Sequence, residues 1–446
     1  MRRIGPLLAL VAILILGLSI RSGSTGLMGG TARLTAEGET EARPNILFIT
    51  IDALSAKHIG SYGNSGIQTP TIDSLAGAGV KFLMQINSFS QTNPSIASIF
   101  TASYPAATRV RVHGADRLPD SIPTLASVLA DHGYNTAAIY SSRAMDPETS
   151  GLDRGFKLYQ PVYYPNPDQE DIWRLFDGRA DLTTDGAVAW LDHEPATPFF
   201  LWVHYQDPHY PYMPPPPFDT MYDECESCSD GGFGTIDRIG AGEQLPSRDI
   251  AHIRALYDGE ISFADQELGR LLDRMREAGY LDNTMIILTA DEGQSLNDND
   301  VWFHPNILFN SVIRAPLIID YPGSIPEGLS VSSVTRGVDI MPTILETLGI
   351  PPSRQSEGKS LWPLIKGEEN EDERVAFTQG IFDRNISIVS GQWKLIRDNQ
   401  VDDLQLYDLE ADPDETNNLA QANPEVAALL DRQAQDWMDS HSIPYR

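Results

Sequence analysis

Thr92 stands in the stretch FSQTNPSIASIFTASYP, Phe89 to Pro105, just before an Asn-Pro pair and a run of small and apolar residues. Asn93 as an N-cap with Pro94 in the first turn would set its hydroxyl at the positive end of a helix, a position that suits an alkoxide or a bound anion. Thr92 therefore reads either as a nucleophile or as part of a helix cap. Acids stand at two other places where chemistry could gather. Asp52 ends the apolar run PNILFITID, and Asp291, with Glu292 directly after it, ends TMIILTAD. Ligands of an α/β sheet collect at the carboxyl ends of its strands, so acids far apart in sequence can meet at one edge and hold a cation. Either acid alone reads as the cap of a following turn. Two of them, each at a strand end, favour a site.

Such a meeting requires strands and helices that alternate. PNILFITID is almost wholly apolar and β-branched, as a strand buried on both faces of a parallel sheet should be. Helices are predicted at Thr69 to Ala78, Ile96 to Phe100, Ile122 to His132 and, with an interruption at Gly259, Ser247 to Ala278. Strands are predicted at Asn135 to Ser141, Pro198 to Tyr205, Thr284 to Asp291 and Ala315 to Gly323. The alternation implies an α/β fold whose sheet is covered by helices on both sides. Beyond Pro352 the pattern changes to short β-like runs, RVAFTQG and WKLIRD, an acidic turn EADPDET, and an amphipathic helix from Pro424 to about Trp437. The expected organisation is a leader over 1–43, a main domain over 44–352 and a smaller α+β subdomain over 353–446. The segments Tyr159 to Asp171 and Met213 to Gly242, rich in Pro, Gly and Asp, read as long surface loops.

The chain has 446 residues, enough for a large core, and its 62 acidic against 32 basic residues give a formal net charge of -30. That charge repels nucleic acid and anionic membrane surfaces, which excludes a polyanionic partner. Lysine occurs only at Lys57, Lys81, Lys157, Lys359, Lys366 and Lys394. An acidic, lysine-poor surface fits a saline habitat, and equally a simple need for solubility. Arg2 and Arg3 precede the apolar run PLLALVAILILGLSI, Pro6 to Ile20, which reads as an export signal, either cleaved or kept as a membrane anchor. The two cysteines, Cys225 and Cys228, make a CxxC with no second pair to complete a zinc site, and export favours a local disulfide between them.

From Pro44 onward the sequence resembles the sulfatase family of the alkaline phosphatase superfamily. The resemblance is carried, in the family's order, by PNILFITIDALSAKHIGSYG, TPTIDSLAGAGVKF, DRLPDSIPTLASVLADHGYNTAA, VHYQDPHYPY, IILTADEG, IRAPLII, VDIMPTILETLGI and LQLYDLEADPDETNNLA. It implies a mostly parallel central sheet flanked by helices, followed by a smaller C-terminal domain with an antiparallel sheet. It also aligns Thr92 with the Cys or Ser that the family oxidises to formylglycine. Threonine cannot yield that aldehyde because its β-carbon carries a methyl group, so no formylglycine is expected, and relatives with Thr here resemble enzymes that attack phosphorus directly. By the same resemblance Asp52, Asp291, Glu292 and Thr92 would hold one divalent metal ion. An all-oxygen set suits calcium, with magnesium or manganese as alternatives. His209 in DPHYPY would stand near the leaving group, His304 and His113 near the oxygens of the anion, and Arg109 and Arg111 are further candidates for anion contact. The sequence departs from the family at Ala53 for a second aspartate, Ile96 for an arginine that braces the nucleophile, Ala102 for the signature glycine, Gln294 for a glutamate, and Glu292 for the usual Asn or His.

The function these residues imply is an exported, metal-dependent hydrolase or transferase of phosphate, phosphonate or sulfate esters, with Thr92 as nucleophile. Its partner would be a small anionic ester, lipid- or sugar-linked, and a membrane would be met only through the N-terminal segment. The alternatives are a binding protein that kept the fold and lost the chemistry, and a sulfuric ester hydrolase of the formylglycine type.

Overall fold

Every residue of the strand Asn45–Ile51 (β1) is buried, and its side chains alternate between two cores. Leu47, Ile49 and Ile51 join the helices Pro70–Ala78, Ala180–Asp192 and Ser247–Glu277 on one face. Ile46 and Phe48 join the helices Thr92–Thr101, Leu125–Asp131 and Ile340–Thr347 on the other. A strand apolar at both odd and even positions is what a sheet covered on both sides demands. The computed structural model describes residues 43–163, 178–369, 374–401 and 403–444. The predicted leader lies outside them, and among the described residues no helix is long and apolar enough to cross a membrane.

The remaining strands of the main sheet are Val80–Ile86 (β2), Asn135–Tyr140 (β3), Leu158–Pro161 (β4), Phe199–Tyr205 (β5) and Thr284–Thr289 (β6). A two-stranded hairpin follows, Ser295–Asp298 (β7) with Val301–Phe303 (β8), before Arg314–Asp320 (β9) and Leu329–Arg336 (β10) complete the sheet. Its order is β10-β2-β9-β6-β1-β5-β3-β4. Only β9 runs against the rest, pairing antiparallel with both β2 and β6. The central three, β6-β1-β5, are parallel and in register, Thr50 lying opposite both His204 and Thr289. Their carboxyl ends therefore open side by side.

A second sheet, antiparallel throughout, is built from Val375–Gln379 (β11), Asn385–Ser390 (β12), Trp393–Asp398 (β13) and Asp403–Asp408 (β14). One face packs Ile386, Ile388, Leu395 and Leu406 against the helix Pro424–Ser440. The other packs Val389, Ile396 and Tyr407 against Ile86, Leu308 and Val312 of the main domain.

Three local expectations are corrected. The helix of the opening stretch begins at Thr92, with Gln91 as N-cap and Pro94 already inside the first turn, because the first helical bond runs from Ser95 N to Gln91 O. Proline needs no donor anywhere in a first turn, so the Asn-Pro pair marked the helix start without fixing its register. Gly259 does not interrupt its helix. A side chain there would meet the carbonyl of Phe218 at 2.4 Å, so the glycine admits a crossing loop and the helix runs unbroken over 31 residues. The segment Met213 to Gly242 carries a helix of its own, Phe233–Gly240. Near it Cys225 and Cys228 are joined by a disulfide.

The structure also explains the glycine of the family signature. Ala102 is the C-cap of the Thr92 helix, at φ 53, in the left-handed region. A side chain there is disfavoured by about 1 kcal/mol relative to glycine. Ala102→Gly is accordingly expected to raise unfolding free energy by about 1 kcal/mol, read by urea denaturation. An unchanged or lowered midpoint would show that this backbone angle carries no strain.

Candidate active site

Asp52 follows β1 with 1% of its surface exposed, its N–H donating to Tyr205 O at 2.8 Å. Asp291 follows β6. Its Oδ1 accepts from the backbone N–H of Glu292 at 2.9 Å and of Ala53 at 3.3 Å. Ala53 has a positive φ of 58. The carbonyl of Asp291 accepts from Asn87 Nδ2 at 2.6 Å and from the hydroxyl of Ser95. Ser95 belongs to the Thr92 helix, so this contact fixes that helix to the end of β6. Thr92, 2% exposed, donates from Oγ1 to Glu292 Oε1 at 3.1 Å.

The sequence did not single out His204, the penultimate residue of β5, although it lies in the quoted VHYQDPHYPY. A lone histidine ending the apolar run PFFLWVHY reads as core. Register was the missing signal, since it places His204 opposite Thr50, two residues before Asp52. His204 is fully buried, its Nδ1 sits 2.7 Å from Thr50 Oγ1, and Trp202 Nε1 donates to the same hydroxyl at 2.9 Å. Its other nitrogen, Nε2, lies 3.7 Å from Asp52 Oδ2. Ligand atoms of Asp52, His204 and Asp291 all fall within 4.8 Å of one another.

Glu292 does not join that three-residue cluster. It stands between it and the histidines, with Oε1 3.6 Å from His304 Nδ1. His304 and His209 meet through their Nε2 atoms at 3.0 Å, and His209 Nδ1 is 2.9 Å from the carbonyl of Tyr210. A carbonyl only accepts, so His209 carries its hydrogen on Nδ1 and the Nε2 pair holds a single proton, donated by His304. His113 lines the same cavity, of about 570 Å³, as Asp52, Thr92, His209 and His304. Arg109 and Arg111 do not line it. Arg109 is exposed and Arg111 pairs with Asp383 at 2.9 Å, while the cavity's arginines are Arg143 and Arg179.

The ionisable groups around Thr92 are shifted toward their neutral forms. Burial, then the neighbouring Asp52, pushes Asp291 well above the ordinary carboxylate range, and burial, then Asp291 and Asp52, does the same to Glu292. Burial lowers His113, His204 and His209 to about 4, and burial with the neighbouring His209 drives His304 well below its usual value. Among the described residues no donor reaches Asp291 Oδ2 or Glu292 Oε2. Crowded acids, an imidazole nitrogen and acceptor oxygens without donors are a donor set that fits a divalent cation.

Against this geometry the family comparison is decisive. The model of the Sulfatase family matches residues 44–350. The chain belongs to the sulfatase family. A second model, N-sulphoglucosamine sulphohydrolase, C-terminal, matches residues 299–439 of this sulfatase. Choline-sulfatase of Rhizobium meliloti (strain 1021) is 28% identical, over 89% of this chain and 88% of its own. A multifunctional alkaline phosphatase superfamily protein of Trinickia caryophylli is 27% identical, over 90% and 96%. Among solved structures, the phosphonate monoester hydrolase of Agrobacterium radiobacter superposes with a TM-score of 0.73 at 23% identity, over 90% of this chain and 96% of that one, a likeness of fold. The sulfatase described here is thus a sulfatase-like ester hydrolase, with the α/β architecture of the alkaline phosphatase superfamily.

The unmatched acceptors predict tight cation uptake. After stripping with chelator, Mn²⁺ or Ca²⁺ is expected to raise thermal stability, by about 2.7 kcal/mol at roughly a hundredfold excess over Kd. Asp291→Asn is expected to lose most of that gain. A melting curve indifferent to magnesium, calcium, manganese and zinc would exclude a cation from this site.

Proposed function

We propose that the protein hydrolyses phosphate or phosphonate esters, and sulfate esters less readily, with Thr92 as nucleophile and Glu292 as its base. The observation that carries this reading is the contact between Thr92 Oγ1 and Glu292 Oε1. Glu292 accepts the hydroxyl proton as Oγ1 attacks phosphorus or sulfur; the charge of the bound anionic ester lets the His304–His209 pair take up an additional proton from solvent, and the ester oxygen leaves with that proton, returning the pair to neutrality. A covalent threonine ester results. Water then attacks the same phosphorus or sulfur, gives a proton to the histidine pair, and Thr92 leaves as its oxygen recovers a proton from Glu292. Threonine has no carbonyl to re-form, so the intermediate can be broken only by attack at phosphorus or sulfur. That requirement places phosphorus first.

A cation held by Asp52, His204 and Asp291, with Thr92 and Glu292 beside them, would supply Lewis-acid polarisation of the ester and a lowered hydroxyl pKa. An imidazole ligand shifts the expectation from calcium toward manganese or zinc. Relatives named for choline sulfate and for phosphonate monoesters lie on both sides of the phosphorus–sulfur divide. We also place the protein outside the cytoplasm, supported by the leader sequence and the Cys225–Cys228 disulfide. A purely binding role is disfavoured because buried acids that served no chemistry would be a standing cost in stability.

Metal-supplemented protein, assayed on aryl phosphate, phosphonate monoester and aryl sulfate, is expected to lose about a thousandfold in kcat with Thr92→Val. Glu292→Gln is expected to lose about a hundredfold or more. Rapid acid quench should trap a phosphoryl adduct on the peptide containing Thr92. Equal inactivity of wild type and Thr92→Val on every ester would refute the reading.

A further inference from the structure

The cavity that holds Thr92 has a second cluster on its wall. Asp207 follows β5, two residues before His209, and Glu260, 3% exposed, sits midway along the helix Ser247–Glu277. Asp207 accepts from Ala180 N and Glu260 Oε1 from Met213 N at 2.6 Å. Each carboxyl opposes the other's ionisation, and burial, then the neighbouring Asp207, holds Glu260 well above the ordinary carboxylate range. No group of the described residues hydrogen-bonds to Glu260 Oε2, and Gln206 Oε1, on the same wall and in a residue 8% exposed, has no partner among them. Arg179, the adjacent cation, directs Nε and Nη2 to Asp181. Tyr210 and Phe233 also line this cavity and give it apolar flanks.

Buried acceptors without donors call for a ligand group made of donors. A primary ammonium carries three N–H donors and no acceptor. Its charge also lets both carboxyls ionise together, whereas a hydroxyl leaves their repulsion in place and a quaternary ammonium has no donor to give. Asp207 and His209 share one short loop, so the cluster lies on the side where the ester oxygen would depart. Resting on the ester-hydrolase reading above, we propose that Asp207, Glu260 and Gln206 form a subsite for a primary ammonium group on the alcohol portion of the substrate. The preferred esters are then those of amino alcohols or amino sugars.

The test compares kcat/KM for a phosphate or sulfate ester of an amino alcohol with its hydroxyl and trimethylammonium isosteres. Wild type is expected to prefer the amine by about tenfold or more over both, and Glu260→Gln or Asp207→Asn to bring the ratio close to one. An amine ester no better than the hydroxyl isostere, while other esters are turned over, overturns the subsite and leaves the hydrolase reading standing. A trimethylammonium ester as good as the amine overturns it too. Inactivity on every ester would fault the hydrolase reading instead, and calorimetry of wild type with free glucosamine against glucose then decides the subsite. Selective binding of glucosamine supports it and equal or absent binding overturns it. The wild-type ratios stand on their own should either variant fail to fold.

Discussion

Three acids, Asp52, Asp291 and Glu292, lie buried at one sheet edge with at most 1% of their surface exposed. Taking a carboxylate out of water without a partner is costly enough that the group takes up a proton instead. The fold answers in part with backbone donors, the N–H groups of Ala53 and Glu292 both converging on Asp291 Oδ1. That is too little for all the acids to ionise together. The edge therefore presents a donor set that fits a cation, its imidazoles being buried as neutral groups.

This constraint extends outward through the elements that position the acids. Parallel pairing of β6, β1 and β5 brings three strand ends to one line, and β9, the reversed strand, keeps the sheet continuous toward β2 and the Thr92 helix. Asn87, just after β2, donates to the carbonyls of Ala290 and Asp291, and Ser95 donates to the latter from the helix. The Thr92 helix is thus tied to the acids by the main chain that follows β6 rather than by a charged side chain. Ile96, where the family resemblance implies an arginine, is fully buried in the apolar core. These neutral hydrogen bonds tie the helix down without adding charge to the site.

What the sequence disclosed follows from the range of the forces involved. Buried parallel strands show themselves locally as apolar runs, so β1, β5, β6 and β9 were legible, as was the change of pattern after Pro352, while the antiparallel pairing there came from the family resemblance. Asp52 and Asp291 were legible because a strand end is a local feature. His204 was not, because its meaning depends on register with β1, a long-range property. β2 was also missed: Lys81 and Gln85 interrupt its apolar pattern, although Gln85 is buried through a bond to Asn87. The separation of Glu292 from the cluster of Asp52, His204 and Asp291 was likewise invisible, since adjacent residues at a turn project in different directions.

That separation gives a physical account of two departures from the family pattern together. A formylglycine hydrate has an acidic hydroxyl and ejects its own product, so an Asn or His at the position of Glu292 is sufficient beside it. Threonine is a far weaker acid and offers no such exit, so it requires a base at hydrogen-bond distance. Glu292 stands at that distance, in surroundings that raise its proton affinity through burial and through Asp291 and Asp52. A glutamine would keep the contact without the basicity, and an aspartate, one methylene shorter, would fall short of Oγ1. On the function proposed above, Thr92 and Glu292 are one substitution in two places rather than two losses, a site altered in chemistry rather than decayed.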